Sequence, residues 1–282
     1  MRSNKRPLFG YLFGFFLAVS LLPGQTSPAL DAPAWYRLGR SQLYQRQFER
    51  ARTSAKRAIE LDAKFADAWR LLGEANLELN DFEGAYRAWL SANRLNPSDS
   101  RTAYFLGRLF YEANTFNEAA AWFREALKLA PAHFSAMTYL GLSAEAMGFD
   151  ETAEQLYRRA IQESKSQAKP FAWAFLSLAK LLRRHGQDTE ALSLLDEGEK
   201  ICPEPHLLTS LGQLLTAANS NDRAEAVLRR AIQMDASISE AHYSLSRLLR
   251  ADGKLDEATI ELEKFRKAKE SEPQNKVLAI RK

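Results

Sequence analysis

The side chains that most often perform catalysis or hold a metal ion are scarce in this sequence. Its 282 residues include four histidines and one cysteine: His133, His185, His206, His242 and Cys202. No two histidines have the H-E-x-x-H spacing of a zinc protease, and neither a G-x-S-x-G motif nor a glycine-rich phosphate loop occurs. A lone thiol can form neither an intramolecular disulfide nor a zinc site. We therefore expect no catalytic residue, no metal and no cofactor, and predict that the protein is not an enzyme.

Tyrosine and arginine recur instead, at a spacing suited to binding. Three tyrosines are each followed four residues later by an arginine, which places both side chains on one face of a helix. Guanidinium groups pair with carboxylates and tyrosine rings stack at little entropic cost, so the pattern predicts a surface that binds an extended acidic or aromatic-bearing peptide. The alternative is that these tyrosines serve helix packing and that the arginines form a solvated face without a ligand. The candidate binding residues are Tyr36, Arg40, Arg70, Arg101, Tyr104, Arg108, Tyr111, Trp173, Lys180, Arg183, Arg184, Tyr243, Arg247 and Arg250.

The charge balance argues against a nucleic-acid partner. The formal net charge is +4, but Arg2, Lys5 and Arg6 supply three positive charges before residue 29, where no acidic residue occurs. Without that segment the remainder carries 4 − 3 = +1. A nearly neutral body has little attraction for a phosphate backbone, so we expect no nucleic-acid binding.

Residues 1–30 have the features of an export signal. Positive residues precede an apolar run of 15 residues, 8–22, which a Pro-Gly pair ends. A membrane-spanning helix needs roughly 20 apolar residues, so the run fits a secretory signal peptide better than a permanent span. We predict cleavage after Ala29, with an uncleaved N-terminal membrane anchor as the alternative. Both place the body in the periplasm or outside the cell, and only an uncleaved segment would contact the membrane.

The elements that must position the binding residues are repeated helices. From residue 32 onward a leucine recurs at intervals of 34, 34, 34, 38, 33 and 34 residues: Leu38, Leu72, Leu106, Leu140, Leu178, Leu211 and Leu245. The residue after each leucine is small, and twelve residues later there is always an alanine, from Ala51 to Ala258. Small residues at these points allow two antiparallel helices to pack closely, where a larger side chain would overpack the contact.

The motifs within each unit are those of a known repeat. W-x2-L-G followed by A-x3-(aromatic)-x2-A, as from Trp69 to Ala92, resembles the tetratricopeptide repeat. The resemblance covers about residues 32–271 and implies an all-α, right-handed superhelical solenoid of about seven helix–turn–helix repeats. Four extra residues near Lys165 lengthen a helix or form a loop, and they divide the array into repeats 1–4 (31–167) and repeats 5–7 (168–272). Residues 273–282 are expected to form a polar C-terminal cap or tail.

The resemblance also implies where a ligand lies, because the first helix of each repeat lines the concave face of such a solenoid. We predict an exported, non-catalytic protein–protein interaction scaffold that binds a protein or peptide partner in this groove, in envelope assembly, secretion or polysaccharide export. The alternative is an accessory subunit that holds a polymer or substrate for an enzyme on another chain. A Trp173 that is exposed on the concave face would favour a polysaccharide, and a buried Trp173 would weaken that interpretation.

Overall fold

A computed structural model describes residues 30–168 and 170–271, and in these ranges the chain is entirely helical apart from turns. The predicted export signal, except for Leu30, and the predicted C-terminal cap lie outside the described residues. No helix in the described ranges is long and apolar enough to cross a membrane. The fourteen helices there are α1 Ala32–Tyr44, α2 Phe48–Leu61, α3 Ala66–Glu78, α4 Phe82–Leu95, α5 Ser100–Glu112, α6 Phe116–Leu129, α7 Phe134–Ala146, α8 Asp150–Ser166, α9 Ala172–Arg184, α10 Asp188–Ile201, α11 Pro205–Ala217, α12 Asn221–Met234, α13 Ser239–Ala251 and α14 Leu255–Ser271.

The helices form seven successive pairs, which we number as repeats 1 to 7. Each first helix has 13 residues, and each second helix has 14 residues, or 17 in α8 and α14. Every second helix packs against the first helix of the next pair, so the pairs stack in one row. The predicted all-α repeat solenoid is confirmed. We call the surface formed by the odd-numbered helices the first-helix face.

Each pair is joined by a three-residue turn whose middle residue has a left-handed backbone. Glycine supplies three of these residues and asparagine three, but Arg46 adopts a φ of 59° in the first turn. Only glycine enters this region without steric cost, and asparagine tolerates it better than most residues. Six of the seven turns therefore carry a residue that suits this backbone, and Arg46 is the exception.

In repeats 2, 3, 4 and 6 the glycine after the repeating leucine lies directly against a large side chain of the second helix. A Cβ added to Gly73 would lie 2.3 Å from Nε1 of Trp89, and one added to Gly107 would lie 2.7 Å from the ring of Phe123. Both rings are completely buried. Close helix packing was therefore predicted correctly, but the volume that glycine vacates is filled by the ring and not by the alanine twelve residues later.

The four extra residues of the fourth interval lengthen a helix. α8 continues to Ser166, three residues longer than most second helices, before the chain returns to α9. One hydrophobic cluster spans this point, because Tyr157 and Ile161 before it belong to the same cluster as Phe175 and Leu178 after it. Packing is thus continuous there, and the division into residues 31–167 and 168–272 stays a prediction.

The contact between Gly107 and Phe123 yields a stability prediction. Gly107→Ala should gain about 1 kcal/mol of helix propensity and lose about 1–3 kcal/mol through overpacking. Because the ring is completely buried and cannot move away, we expect a net loss, measured as a lower midpoint of urea unfolding. Ser246→Ala is the matched control, since the same position in repeat 7 already accepts a Cβ. A raised midpoint for Gly107→Ala would contradict the prediction.

Candidate functional site

Two adjoining pockets open on the first-helix face at the N-terminal end of the array. Their volumes are about 340 Å³ and about 310 Å³, and they share Leu43, Glu74 and Phe105. We call them together the N-terminal pocket. It brings together five of the fourteen predicted binding residues. The rest of its lining is Tyr36, Arg40, Tyr44, Arg46, Phe48, Arg70, Leu71, Leu77, Glu78, Arg101 and Arg108.

Exposed arginines stand among the apolar side chains of the N-terminal pocket. Arg40 and Arg46 form no ion pair with any residue in the described ranges. Their guanidinium carbons lie 5.8 Å and 5.9 Å from the ring centroids of Tyr36 and Phe48. Arg101 is also exposed, although it forms ion pairs with two carboxylates of the fold. The pocket can therefore offer positive charge beside aromatic and aliphatic surface.

Arg70, which we predicted to contact a ligand, belongs to a buried ion cluster. Arg70 is 6% exposed and donates a hydrogen bond to Asp67. Its Nη1 lies 2.9 Å from Oε1 of Glu74, and its Nε lies 3.1 Å from Oδ2 of Asp99. Burial alone would lower its pKa, but the hydrogen bond to Asp67 and the charges of Glu74, Tyr36 and Asp99 raise the pKa above its ordinary value. The charge of Arg70 is neutralised within the fold, where it joins α3 to the N-cap of α5.

Tyr104, Arg108 and Tyr111 pack repeat 3 against repeat 4. The ring centroid of Tyr104 lies 4.9 Å from that of His133 and 5.9 Å from that of Tyr139, and burial raises the pKa of Tyr104 to about 12. The Arg108 guanidinium lies 5.5 Å from the Tyr139 ring, and the Tyr111 ring lies 5.5 Å from the same ring. Of the three, Arg108 lines the N-terminal pocket, whereas Tyr104 and Tyr111 pack between the repeats and are not part of its lining.

In the middle of the array the predicted cations contact the fold itself. Arg184 places Nη1 2.8 Å from Oε1 of Glu145 and Nη2 2.8 Å from Oδ1 of Asp150. Arg183 lies within 3.5 Å of Oε1 of Gln213 on the next first helix. Residues of repeats 4, 5 and 6 that correspond to Tyr36 are buried, and these are Thr138, Leu176 and Thr209.

Trp173 is 39% exposed on α9, which is a first helix. The Nζ of Lys180, two helical turns further along α9, lies 5.9 Å from the Trp173 ring centroid. The ring can therefore contact a ligand, but a cation already lies over it.

A separate pocket opens at the C-terminal end of the array, between α13 and α14. Its volume is about 430 Å³, and three predicted residues, Tyr243, Arg247 and Arg250, line it. Tyr243 is 44% exposed, and the Arg247 guanidinium lies 5.9 Å from its ring centroid. The sequence predicted one continuous groove, whereas the structure gathers the candidate residues mainly at the two ends. The other lining residues are Ser246, Ala251, Ala258, Thr259 and Leu262.

Several pocket residues were missed by the sequence reasoning. Leu43 and Tyr44 follow Arg40 by three and four residues, so one more helical turn along the predicted face would have included them. Tyr44 is 92% exposed. Phe105 and Phe48 had no such signal, because Phe105 lies outside the Tyr-Arg register and Phe48 begins a second helix.

The residues capable of chemistry are held in structural contacts. His242 is buried, with Nδ1 2.6 Å from Oε2 of Glu261 and Nε2 3.1 Å from the carbonyl oxygen of Ala236. Burial and then the charge of Glu204 raise the pKa of the half-buried Cys202 thiol, which disfavours the reactive thiolate. Within the described ranges, no group of three or more potential ligands could hold a metal ion.

Solved structures with a similar fold share little sequence with this chain. A chain of the APC/C hetero-tetramer Cut9–Hcn1 aligns at a TM-score of 0.68 and 19% identity over 78% of this chain. The chain described here spans only 43% of that protein. PilF of Pseudomonas aeruginosa aligns at a TM-score of 0.63 and 19% identity, and the alignment covers 74% of this chain and 94% of the PilF chain. A tetratricopeptide-repeat protein of Parabacteroides merdae aligns at a TM-score of 0.62 and 17% identity. The alignment covers 77% of this chain and 84% of the Parabacteroides protein.

The family assignment comes from the sequence match. No curated protein matches this chain. The tetratricopeptide-repeat family model matches residues 36–100, 86–134, 104–172 and 209–274, which together include most of the chain. Repeat 5 falls outside these matches, although α9 and α10 form the same helix pair there. On this evidence the chain belongs to the tetratricopeptide-repeat family.

Proposed function

We propose that the N-terminal pocket binds an extended segment of a partner protein, and that this chain is a non-catalytic interaction scaffold. Proteins of this family are protein-interaction scaffolds, which supports the general role. The observation that carries the proposal is the joining of two pockets around Leu43, Glu74 and Phe105, with the unpaired Arg40 and Arg46 beside them.

The lining indicates the chemistry of the partner segment. Leucine and aromatic side chains can bury an apolar anchor, and exposed guanidinium groups can pair with flanking carboxylates. Of the two carboxylates in the lining, Glu74 weakens this attraction little, because it already pairs with Arg70 and burial raises its pKa, and the exposed Glu78 offsets one guanidinium charge. The segment that fits is therefore acidic, with an aromatic or aliphatic residue between its carboxylates.

Removal of the two unpaired charges tests this proposal. Peptides selected from a random phage-displayed library should combine Asp or Glu with an apolar residue. In the variant Arg40→Gln with Arg46→Asn we expect about tenfold weaker binding, because two exposed charge contacts contribute about 1–2 kcal/mol together. Asparagine at position 46 suits the φ of 59°. Fluorescence anisotropy of a labelled peptide measures the affinity.

The matched control is Lys56→Gln with Arg124→Gln, which removes the same charge from exposed positions on second helices. Equal weakening in both variants would show non-specific attraction, and unchanged binding in the pocket variant would exclude this site. Tyr104→Ala with Arg108→Ala is a poorer test, because both side chains pack repeat 3 against repeat 4.

We also propose that the scaffold acts outside the cytoplasm, where it docks partners in envelope assembly, secretion or polysaccharide export. The support is the sequence of residues 1–30, in which positive residues precede the apolar run and a Pro-Gly break follows it. An uncleaved anchor would place the repeats on the same side of the membrane.

Export can be measured with a fusion of residues 1–31 to alkaline phosphatase, which is active only after export. We expect an active fusion, and we expect mass spectrometry of the mature chain to give Leu30 as its first residue. Leu12→Arg with Leu17→Arg should abolish activity, because two charges interrupt the apolar run. An inactive wild-type fusion would contradict export, and an intact N-terminus would identify an anchor.

Holding a polymer for an enzyme on another chain is the second candidate function, and the exposure of Trp173 favours it. If a polysaccharide stacks on this ring, Trp173→Ala should weaken its binding about tenfold, since such a contact contributes about 1–2 kcal/mol. Trp35→Ala, at another partly exposed tryptophan, is the control. Affinity electrophoresis in polysaccharide gels measures the effect, and unchanged mobility of Trp173→Ala would exclude this candidate.

A further inference from the structure

The pocket between α13 and α14 lies where the next first helix would pack if the array continued. In repeat 6 the corresponding surface of α11 and α12 is covered by α13. Thr209 and Leu228 of repeat 6 are therefore 1% and 0% exposed. The corresponding residues of repeat 7 are Tyr243, which is 44% exposed, and Leu262, which is only partly buried. We call this pocket the terminal groove. Its position corresponds to that of a further first helix.

The terminal groove contains two arginines whose charges the fold does not neutralise. Arg247 and Arg250 are exposed, and neither forms an ion pair with a residue in the described ranges. Both line the groove together with apolar side chains such as Leu262. A helix in the groove would therefore meet apolar surface and two guanidinium groups one turn apart.

The interior of the array shows which residues of an incoming helix meet these positions. Gln213, which corresponds to Arg247, donates a hydrogen bond of 3.0 Å to Ser244, the residue before the repeating leucine of the next first helix. Arg183, which corresponds to Arg250, reaches Gln213, two residues after the next leucine, at 3.5 Å. The two contacted positions are three residues apart and lie on one face of the incoming helix.

We propose that the terminal groove docks an amphipathic helix of a partner protein that carries two carboxylates three residues apart. The carboxylates would pair with Arg247 and Arg250, and the apolar stripe would cover Leu262 and Tyr243. This docking surface is separate from the N-terminal pocket and does not depend on its function.

A second copy of this chain is a poor occupant for an electrostatic reason. In a head-to-tail stack α1 would enter the groove, and its residues at the two contacted positions are Arg37 and Arg40. Arg37 would face Arg247 and Arg40 would face Arg250. Like charges so placed oppose association, so the two ends of the array are mutually repulsive.

The test uses a peptide of residues 239–251, because α13 already occupies the equivalent surface of repeat 6. The probe peptide carries Ser244→Glu with Arg247→Glu, and the control peptide carries lysine at both positions. Both peptides are stapled on the face that points to solvent, because short isolated helices are only marginally stable in water. Isothermal titration with the full chain should show about tenfold tighter binding of the acidic probe. In the protein variant Arg247→Glu with Arg250→Glu this preference should invert.

Arg247→Gln with Arg250→Gln provides a second protein variant, in which the preference for the acidic probe should disappear, and thermal melts confirm that each variant is folded. Equal affinity for the two peptides in the wild-type protein would overturn the proposal, as would no binding of the acidic probe at millimolar concentration. Binding that appears only after deletion of residues 273–282 would overturn it by identifying that segment as the occupant. Concentration-dependent self-association of the wild-type protein that Arg247→Glu with Arg250→Glu strengthens, as a facing Arg37 and Arg40 require, would overturn it by identifying a second copy.

Discussion

The structure depends on the close contact between a glycine of the first helix and a large side chain of the following second helix, which recurs in repeats 2, 3, 4 and 6. Gly73 against Trp89, Gly107 against Phe123 and Gly141 against Tyr157 are all contacts in which a Cβ would overlap the ring. The ring fixes how near the two helices lie, and the left-handed turn residue fixes how the chain reverses between them. With pair geometry set in this way, each pair presents nearly the same surface to the next, and the row of helices follows.

Regular stacking also decides where binding residues remain available. In repeats 4 to 6 the neighbouring first helices cover Thr138, Leu176 and Thr209, and Arg184 is neutralised by Glu145 and Asp150. Free charge beside apolar surface persists at the first repeats and at the last one. The structure thus gathers the candidate binding residues at the two ends of the array and not along a uniformly lined groove.

The fold was predictable because it is encoded by side-chain size at fixed spacing, which needs no knowledge of partners. The positions of Leu106, Gly107 and Ala119 recur in equivalent form in every repeat, and all of them are buried except Leu38, which is 38% exposed. The site was only partly predictable, since helical spacing gives the face on which Arg70 or Tyr104 lies but not its neighbours. Asp99 lies 29 residues after Arg70, and Tyr139 lies 35 residues after Tyr104, so both contacts exist only after the repeats stack.

Site-specific photocrosslinking in living cells tests the central claim, that a partner segment lies in the N-terminal pocket. A benzophenone amino acid at position 44 would lie in the pocket, and one at position 124 would lie on an exposed second helix. The account predicts a discrete crosslinked protein from position 44 and none from position 124. Crosslinks of equal yield from both positions, or from position 124 alone, would contradict it.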